Sequence, residues 1–561
     1  MRTAQKMMRT IGSAATALAA GLAIAGCGGD QTAGSSTTSG GGGSTGMAGV
    51  WTAVSPATLD ATGGVAADPS GRGAPGGNVD VATIGALSFG AAFAAPVDAP
   101  APPTDAQRIT SLDADATVTG SAVIDGDVTV PGGGARRLTV MGGDLFVAGK
   151  VRSEGGAADR SLSLEAPNGT IYVTGTIDAS ATSGTAQNGG AISLTAARIV
   201  VTGTLTTEGG MGGGRAGDIH VSADVDVMLT GTVQGRGGAA SVPSGDAQGG
   251  AAATLAIDAG GNVQLAGVVD LRGGLAHARA PGGTLAGGTG GHVAIGAARP
   301  PASVTFALDV SVGGGDGGAG AGAGGNLTLV VGGDFTVGGA VRSRGGSIAA
   351  GGSGDGGLAG NLTMDINTTA GNQIYRPGSA IVLDGGDSGG TGTAGGGGHF
   401  YGRSFDGIVT MSGTISARGG AARDAGGVGG LGGHVNIFSD NNFDGFGGDL
   451  TVTPEGVIDA SGGAGTVGGS ARNDGTTDVA EFPINQELIA VLLNADGIHG
   501  TPTNGVIDNQ GVVIVRGGAG NGAGGDIAFH GEGTGGLHDP LGGRLEMNGD
   551  GTGPDGQFAS E

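Results

Sequence analysis

The sequence predicts an all-β fold, a right-handed parallel β-helix solenoid of about 11 coils with Gly-rich loops at one corner. Three observations carry this reading. One short motif, apolar-x-Gly-x-apolar, recurs along the chain. Segments that alternate apolar with small or polar residues precede it, the period of a strand. Finally, 134 of the 561 residues are glycine while only 3% are aromatic. Without a Gly-X-Y period the glycine content excludes collagen, and regularly placed Val, Ile and Leu exclude simple disorder. A core of small aliphatic side chains suits a thin coil better than a broad globular interior.

The elements follow in chain order. Residues 1–26 read as an export signal, with Arg2, Lys6 and Arg9 ahead of an apolar stretch from Ile11 to Ala25. That stretch is too short and too rich in Ala and Gly for a spanning helix. The sole cysteine, Cys27, follows Ile24-Ala25-Gly26. This run resembles the bacterial lipoprotein lipobox, which implies that Cys27 receives a diacylglyceryl group and becomes the first mature residue. The resemblance also implies a cell-envelope address, lipid-anchored at the outer membrane or cell surface, with which Gly28 in place of Asp agrees. One cysteine leaves no internal disulfide, so packing and backbone hydrogen bonds must hold the chain. Residues 27–57 are rich in Gly, Ser and Thr and read as a flexible tether.

Residues 58–90, around Thr58-Leu59-Asp60-Ala61-Thr62-Gly63-Gly64, offer a first coil, and the Ala/Pro-rich residues 91–112 a linker. The main solenoid is expected over 113–475. There the motif reads Val147-Ala148-Gly149-Lys150-Val151, Val173-Thr174-Gly175-Thr176-Ile177 and Val201-Thr202-Gly203-Thr204-Leu205, with further copies at Gly231, Gly267, Gly339, Gly413 and Gly456. Two copies are degenerate, one with Ala307 where Gly is expected and one running from Gly378 to Asp384 with an extra residue. Spacing grows from about 26 residues per unit to about 55, and all the variation falls after the Gly-Gly that closes each motif. Bends with positive φ explain the glycine there, and the entropy it carries makes these loops the expected mobile parts. Residues 476–510 read as an insertion with a short helix over Phe482–Asp496, and 511–561 as the last coil and a Gly-rich cap.

Two rows of polar residues are candidates for chemistry. The strand-start position after the variable loop holds Asp218, His292, Asn326, Asn361, His399, His434 and Asp526. Asn and Asp in sister units point to a structural ladder of side-chain hydrogen bonds, while His399 and His434 on successive coils are within reach of one transition metal. The loop carboxylates Asp316, Asp355, Asp384 and Asp387 are candidate ligands for Ca²⁺, since hard cations take oxygen. A second row, Arg236, Arg272, Arg344, Arg418 and Arg516, either pairs with nearby carboxylates or faces an anionic glycan. The net charge of −24 opposes a nucleic-acid partner.

Taken with these repeats, residues 117–475 resemble the Gly-rich parallel β-helices of bacterial cell-surface proteins, broadly the filamentous-haemagglutinin type of adhesin. The resemblance implies a structural or adhesive role, with a cell-surface glycan or protein as partner; no residues are singled out as catalytic, since the sequence has no Asp-Asp pair and few aromatics. Two alternatives stay open. A polysaccharide-active β-helix lyase or hydrolase requires convergent carboxylates across adjacent coils, and a surface-layer or filament component requires coil ends that pair.

Overall fold

The computed structural model describes residues 57–560 except 67, 91–98, 132–133, 155–159, 182–185, 243–244, 279–283, 368–370, 405–406, 441–447, 472–488, 496–504, 532–536 and 539–542. The expected signal, tether and Cys27 lie outside these residues. The described chain is all-β, and every strand pairing is parallel. Among the described residues no helix is long and apolar enough to cross a membrane.

The chain visits three ladders in rotation. Ile219–Ala223 lies in the first, Val227–Leu229 in the second and Thr232–Gln234 in the third, and the next unit repeats the order with Thr254–Ala259, Asn262–Leu265 and Val268–Asp270. Units pair register for register, Ile219 with Leu255, Val227 with Val263 and Thr232 with Val268. The third ladder is a 14-stranded sheet. The first and second form a single 28-stranded sheet, since Leu162–Val173 and Ile192–Val201 run through both. Residues alternate between buried and outward-facing in strands such as Leu327–Val331 and Leu362–Ile366, which places the predicted aliphatic side chains in one continuous core.

The recurring Gly of the motif has a steric cause. A Cβ on Gly175 would sit 2.0 Å from the carbonyl oxygen of Gly149, one on Gly203 the same distance from Gly175, and one on Gly267 1.8 Å from Gly231. Each coil turns from the second ladder to the third directly on the backbone of the coil below, leaving no room for a side chain.

The Gly-rich segments form a hydrogen-bonded lobe, which corrects the expectation of mobile loops. Each runs out from the third ladder and back to the first, and its two legs alternate along one column. Gly238 N–H donates to Gly214 O, Gly250 to Gly238, Gly274 to Gly250 and Gly288 to Gly274. The relay continues through Gly315, Gly346, Gly386, Gly420, Gly463 and Gly518 to Asp550. Packing outgoing and returning legs this closely excludes side chains, so glycine serves close approach here far more than turning. Ala66, Ala240, Ala247, Ala276 and Leu285 give the lobe a small apolar cluster of its own.

Residues 58–90 do not form the first coil. Thr58–Asp60 pairs with Val268–Asp270 on one side and with Asp309–Ser311 on the other. Val79–Thr83 lies between His292–Ile295 and Leu327–Val331, and Leu87–Phe89 between Ser303–Phe306 and Phe335–Val337. The segment is therefore a complete turn slotted into the middle of the stack. The main chain makes room by climbing one strand level between Phe306 and Asp309, where the register puts Leu308, not the expected Ala307, at the place of the motif Gly. Both ends of the inserted turn, Thr58 and Gly90, lie at that same corner, so the turn is a split ring and the climbing chain passes through its gap. Gly90 N–H donates to Phe306 O and Gly338 N–H to Phe89 O. Gly90 has φ +66°, and a Cβ there would meet Gly339 N at 2.1 Å. The glycine column also runs through the turn, from Gly288 to Gly64 to Ala74 to Gly315.

Two further boundaries differ from expectation. The linker of 91–112 ends in a strand, Gln107–Arg108, paired with Ala122–Val123. Within the expected helix of 482–496, Val491–Ala495 is a strand between His434–Asp440 and Ile527–Gly531, because its apolar residues are buried and complete the first ladder. Residues 511–560 add strands to all three ladders, ending with Phe558–Ser560.

Candidate functional site

The strand-start row lies at the corner where the glycine lobe returns to the first ladder. Its members act on the coil above through their side-chain oxygens. Asp218 Oδ1 accepts the backbone N–H of Thr254 at 2.9 Å, Asn326 that of Asn361 at 2.9 Å, Asn361 that of His399 at 2.9 Å and Asp526 that of Gln557 at 2.8 Å. Asn78, in the inserted turn, does the same for Asn326 at 2.8 Å. Each of these N–H groups lies at or just before the start of a strand, and the carboxamide or carboxylate supplies its acceptor.

Histidine occupies this row differently. His292 Nε2 lies 3.5 Å from Asp80 of the inserted turn. His399 and His434 are neighbours, their ring centroids 5.1 Å apart. His434 is buried, and its Nδ1 lies 2.7 Å from Ile489 O, so Nδ1 donates. His399 Nε2 lies 3.4 Å from Asn436 Nδ2. Two imidazoles make half of a zinc shell, and no group of three or more His, Cys, Asp or Glu is placed to hold a metal among the described residues.

The loop carboxylates are spread over three coils, and only Asp384 and Asp387 share one. Asp316 Oδ1 accepts Ser347 N–H at 2.7 Å and Asp355 Oδ1 accepts Thr393 N–H at 2.8 Å. Asp387 Oδ1 accepts Ala421 N–H at 3.0 Å, with Arg423 on its other oxygen. Asp384 is buried, takes the Ser416 hydroxyl and Arg418 N–H on Oδ1, and faces the Arg418 guanidinium through Oδ2. Each already tethers the coil above it, so these four do not fit a shared Ca²⁺ shell of six or more oxygens.

The arginine row pairs along the third ladder. Arg236 reaches Glu208 at 2.7 Å and Asp270 at 3.5 Å, Arg272 reaches Asp270 at 2.7 Å and Asp60 at 3.7 Å, and Arg516 pairs with Glu546. The hydrogen bond that Arg272 donates to Asp270 raises the Arg272 pKa, and the one that Arg418 donates to Asp384 raises the Arg418 pKa. Arg344 lines a cleft of about 250 Å³ with Asp384, Asp387 and Arg418. A larger cleft of about 550 Å³ runs over the glycine legs, bordered by Glu208, Arg236, Arg272, Leu275 and Thr62.

Two features escaped the sequence reading. A second amide and carboxylate row marks the corner between the first and second ladders: Asp144 accepts Thr170 N–H, Asp226 accepts Asn262, Asp334 accepts Asn372, Asn372 accepts Ile408 and Asp449 accepts Val506. Its signal was present as Gly-Gly-[Asp/Asn]-apolar at 142–145, 260–263, 332–335 and 447–450. The other is an aromatic column beside the inserted turn. Phe89 stacks on Phe306 at 4.7 Å and meets Phe335 edge-on at 6.1 Å, and Tyr375 and Phe400 extend the series at 6.0 and 6.1 Å. Tyr375 is fully buried, its hydroxyl 3.0 Å from Gln373 Oε1, and burial pushes its pKa up.

The chain was compared with protein-family profiles, curated proteins and solved structures, and no match was found.

Proposed function

We propose that this chain is a lipid-anchored bacterial envelope protein with a structural or adhesive role, a right-handed parallel β-helix held to the membrane through Cys27. The observation that supports this reading most is how the polar side chains are used. Asp and Asn at two corners accept backbone N–H groups from the coil above, and Arg236 and Arg272 reach carboxylates on neighbouring coils, Glu208 and Asp60 among them. This chemistry holds one coil on the next, and it suits a protein whose product is an ordered surface. In that reading the ligand is a surface glycan or protein met by the exposed faces of the coils and the glycine lobe.

Expression in a bacterial host with the native leader tests the anchor. The wild type should incorporate a clickable palmitate and partition with membranes, and Cys27→Ser should do neither. Protease shaving of intact cells should then remove the wild-type chain. Protection until lysis would overturn surface display, and release of reducing ends from polysaccharides by the purified protein would overturn the non-catalytic role.

A further inference from the structure

We propose that residues 58–90 act as a strand donor between copies of this chain, the inserted turn of one molecule filling the slot of a second. This goes beyond the anchored-scaffold reading and does not depend on lipidation.

The argument starts from what the slot is. Without the turn, the climb from Phe306 to Asp309 leaves three pairs of strands with one empty level between them: Val268–Asp270 and Asp309–Ser311, His292–Ile295 and Leu327–Val331, Ser303–Phe306 and Phe335–Val337. Each pair then offers unpaired N–H and C=O groups, and both walls are apolar, with Val293 and Phe306 on one and Leu327 and Phe335 on the other, all buried when the turn is in place. Open parallel edges over an apolar interior are a strong template for any strand of matching register. The turn supplies that match with Leu59, Val79, Val81, Leu87 and Phe89, all buried, and with Asn78 and Asp80 for the corner bonds.

Nothing covalent fixes whose turn fills the slot. The only cysteine is Cys27, outside the turn. The ring is split at the corner where the main chain climbs, so it leaves or arrives sideways with no end to thread. Its connection to the rest of the chain is long. Gly90 and Gln107 are separated by eight interstrand steps along the second ladder, about 38 Å at ~4.8 Å per step. The roughly 16 residues between them extend to about 55 Å at most. A connection that reaches its own slot over 38 Å reaches a neighbour's slot over the same distance. Exchange of one element between identical chains keeps every contact and changes only its ownership.

The test uses the register pair Ser88 and Thr305. Two full-length variants, both carrying Cys27→Ser, receive one cysteine each, Ser88→Cys with one affinity tag and Thr305→Cys with another. They are refolded together at high concentration and oxidised. Donation between copies yields a disulfide-linked heterodimer carrying both tags, at twice the monomer mass and dissolved by reductant. The double variant, Ser88→Cys with Thr305→Cys, should close a disulfide under the same conditions within one chain or between chains. If it closes and the mixed single variants stay monomeric, the turn serves only its own chain and the proposal fails. If the double variant does not close, the turn does not sit beside Ser303–Phe306 and the proposal fails at its premise.

Discussion

Gly250→Ala puts the glycine column to the test. A Cβ at this position would lie 1.8 Å from the carbonyl oxygen of Gly214, 2.6 Å from its carbon and 2.8 Å from Gly238 N. All three are backbone atoms of neighbouring legs, so no side chain can swing away. Restoring ordinary contact requires the legs to part by roughly 1.5 Å, an overpacking strain of about 1–3 kcal/mol. That movement also breaks the bonds from Gly250 to Gly238 and from Gly274 to Gly250, at about 1 kcal/mol each. The local cost comes to about 3–5 kcal/mol, and at about 1.4 kcal/mol per tenfold it should speed amide exchange in the adjoining legs by roughly a thousandfold. The matched control is Gly126→Ala, where a Cβ meets nothing within 4 Å and φ is not positive. That change should be neutral or stabilise by up to about 1 kcal/mol, through a less free unfolded chain. Hydrogen exchange read by mass spectrometry separates the two. Equal protection at residues 238 and 274 in both variants would refute the reading of the lobe as a packed, hydrogen-bonded column.

Other expectations follow from the same geometry. Asn361→Leu removes the acceptor for His399 N–H and should cost about 1–2 kcal/mol, while Asn361→Asp keeps the oxygen and should stay near wild type in urea unfolding. Phe306→Ala takes away the ring stacked on Phe89 and should cost about 3–5 kcal/mol. Its distinguishing readout is new protease cleavage within residues 58–90, and cleavage spread evenly over the chain would count against a slot. Tyr375 has its folded pKa raised above the ordinary 10.0 by burial. Above pH 10 the unfolded chain loses this proton while the native chain keeps it, so stability is full below pH 10 and falls as pH rises beyond it. In a Tyr375→Phe variant that alkaline loss should be smaller, and an identical pH profile would show that Tyr375 is not sealed from solvent.

How far the sequence revealed the fold depended on the range of each interaction. Period-two segments such as Ile192-Ser193-Leu194-Thr195 and the Gly of each motif were visible because strand alternation and the same corner contact with the coil below recur in unit after unit. The strand-start row was visible too, since Asp218, Asn326 and Asn361 stand at one place in successive units. The inserted turn was not, because nothing near Thr58 or Val79 names Asp309 or Leu327 as a neighbour. Only the degenerate copy around Phe306-Ala307-Leu308 hinted at it: where the main chain climbs a level it no longer rests on the coil below, and the demand for Gly at the place of Leu308 lapses. The apolar run Ile489-Ala490-Val491-Leu492-Leu493 suits a helix or a buried strand equally by pattern, and burial from both sides of the sheet decides for the strand. The glycine legs misled for a related reason, since entropy argues for mobility wherever the partner that confines a glycine lies out of view.

The slot in mid-stack also sets an order of events. The turn around Asn78 is made early, yet its bond to Asn326 waits for a residue 248 positions later. At about 5–20 residues per second, synthesis alone imposes a delay of roughly 12–50 seconds. Throughout it Leu59, Val79, Val81, Leu87 and Phe89 have no interior to enter. The first strands to emerge are thus among the last to be housed, and a cell that makes this protein must keep them from wrong company until the far side of their berth exists.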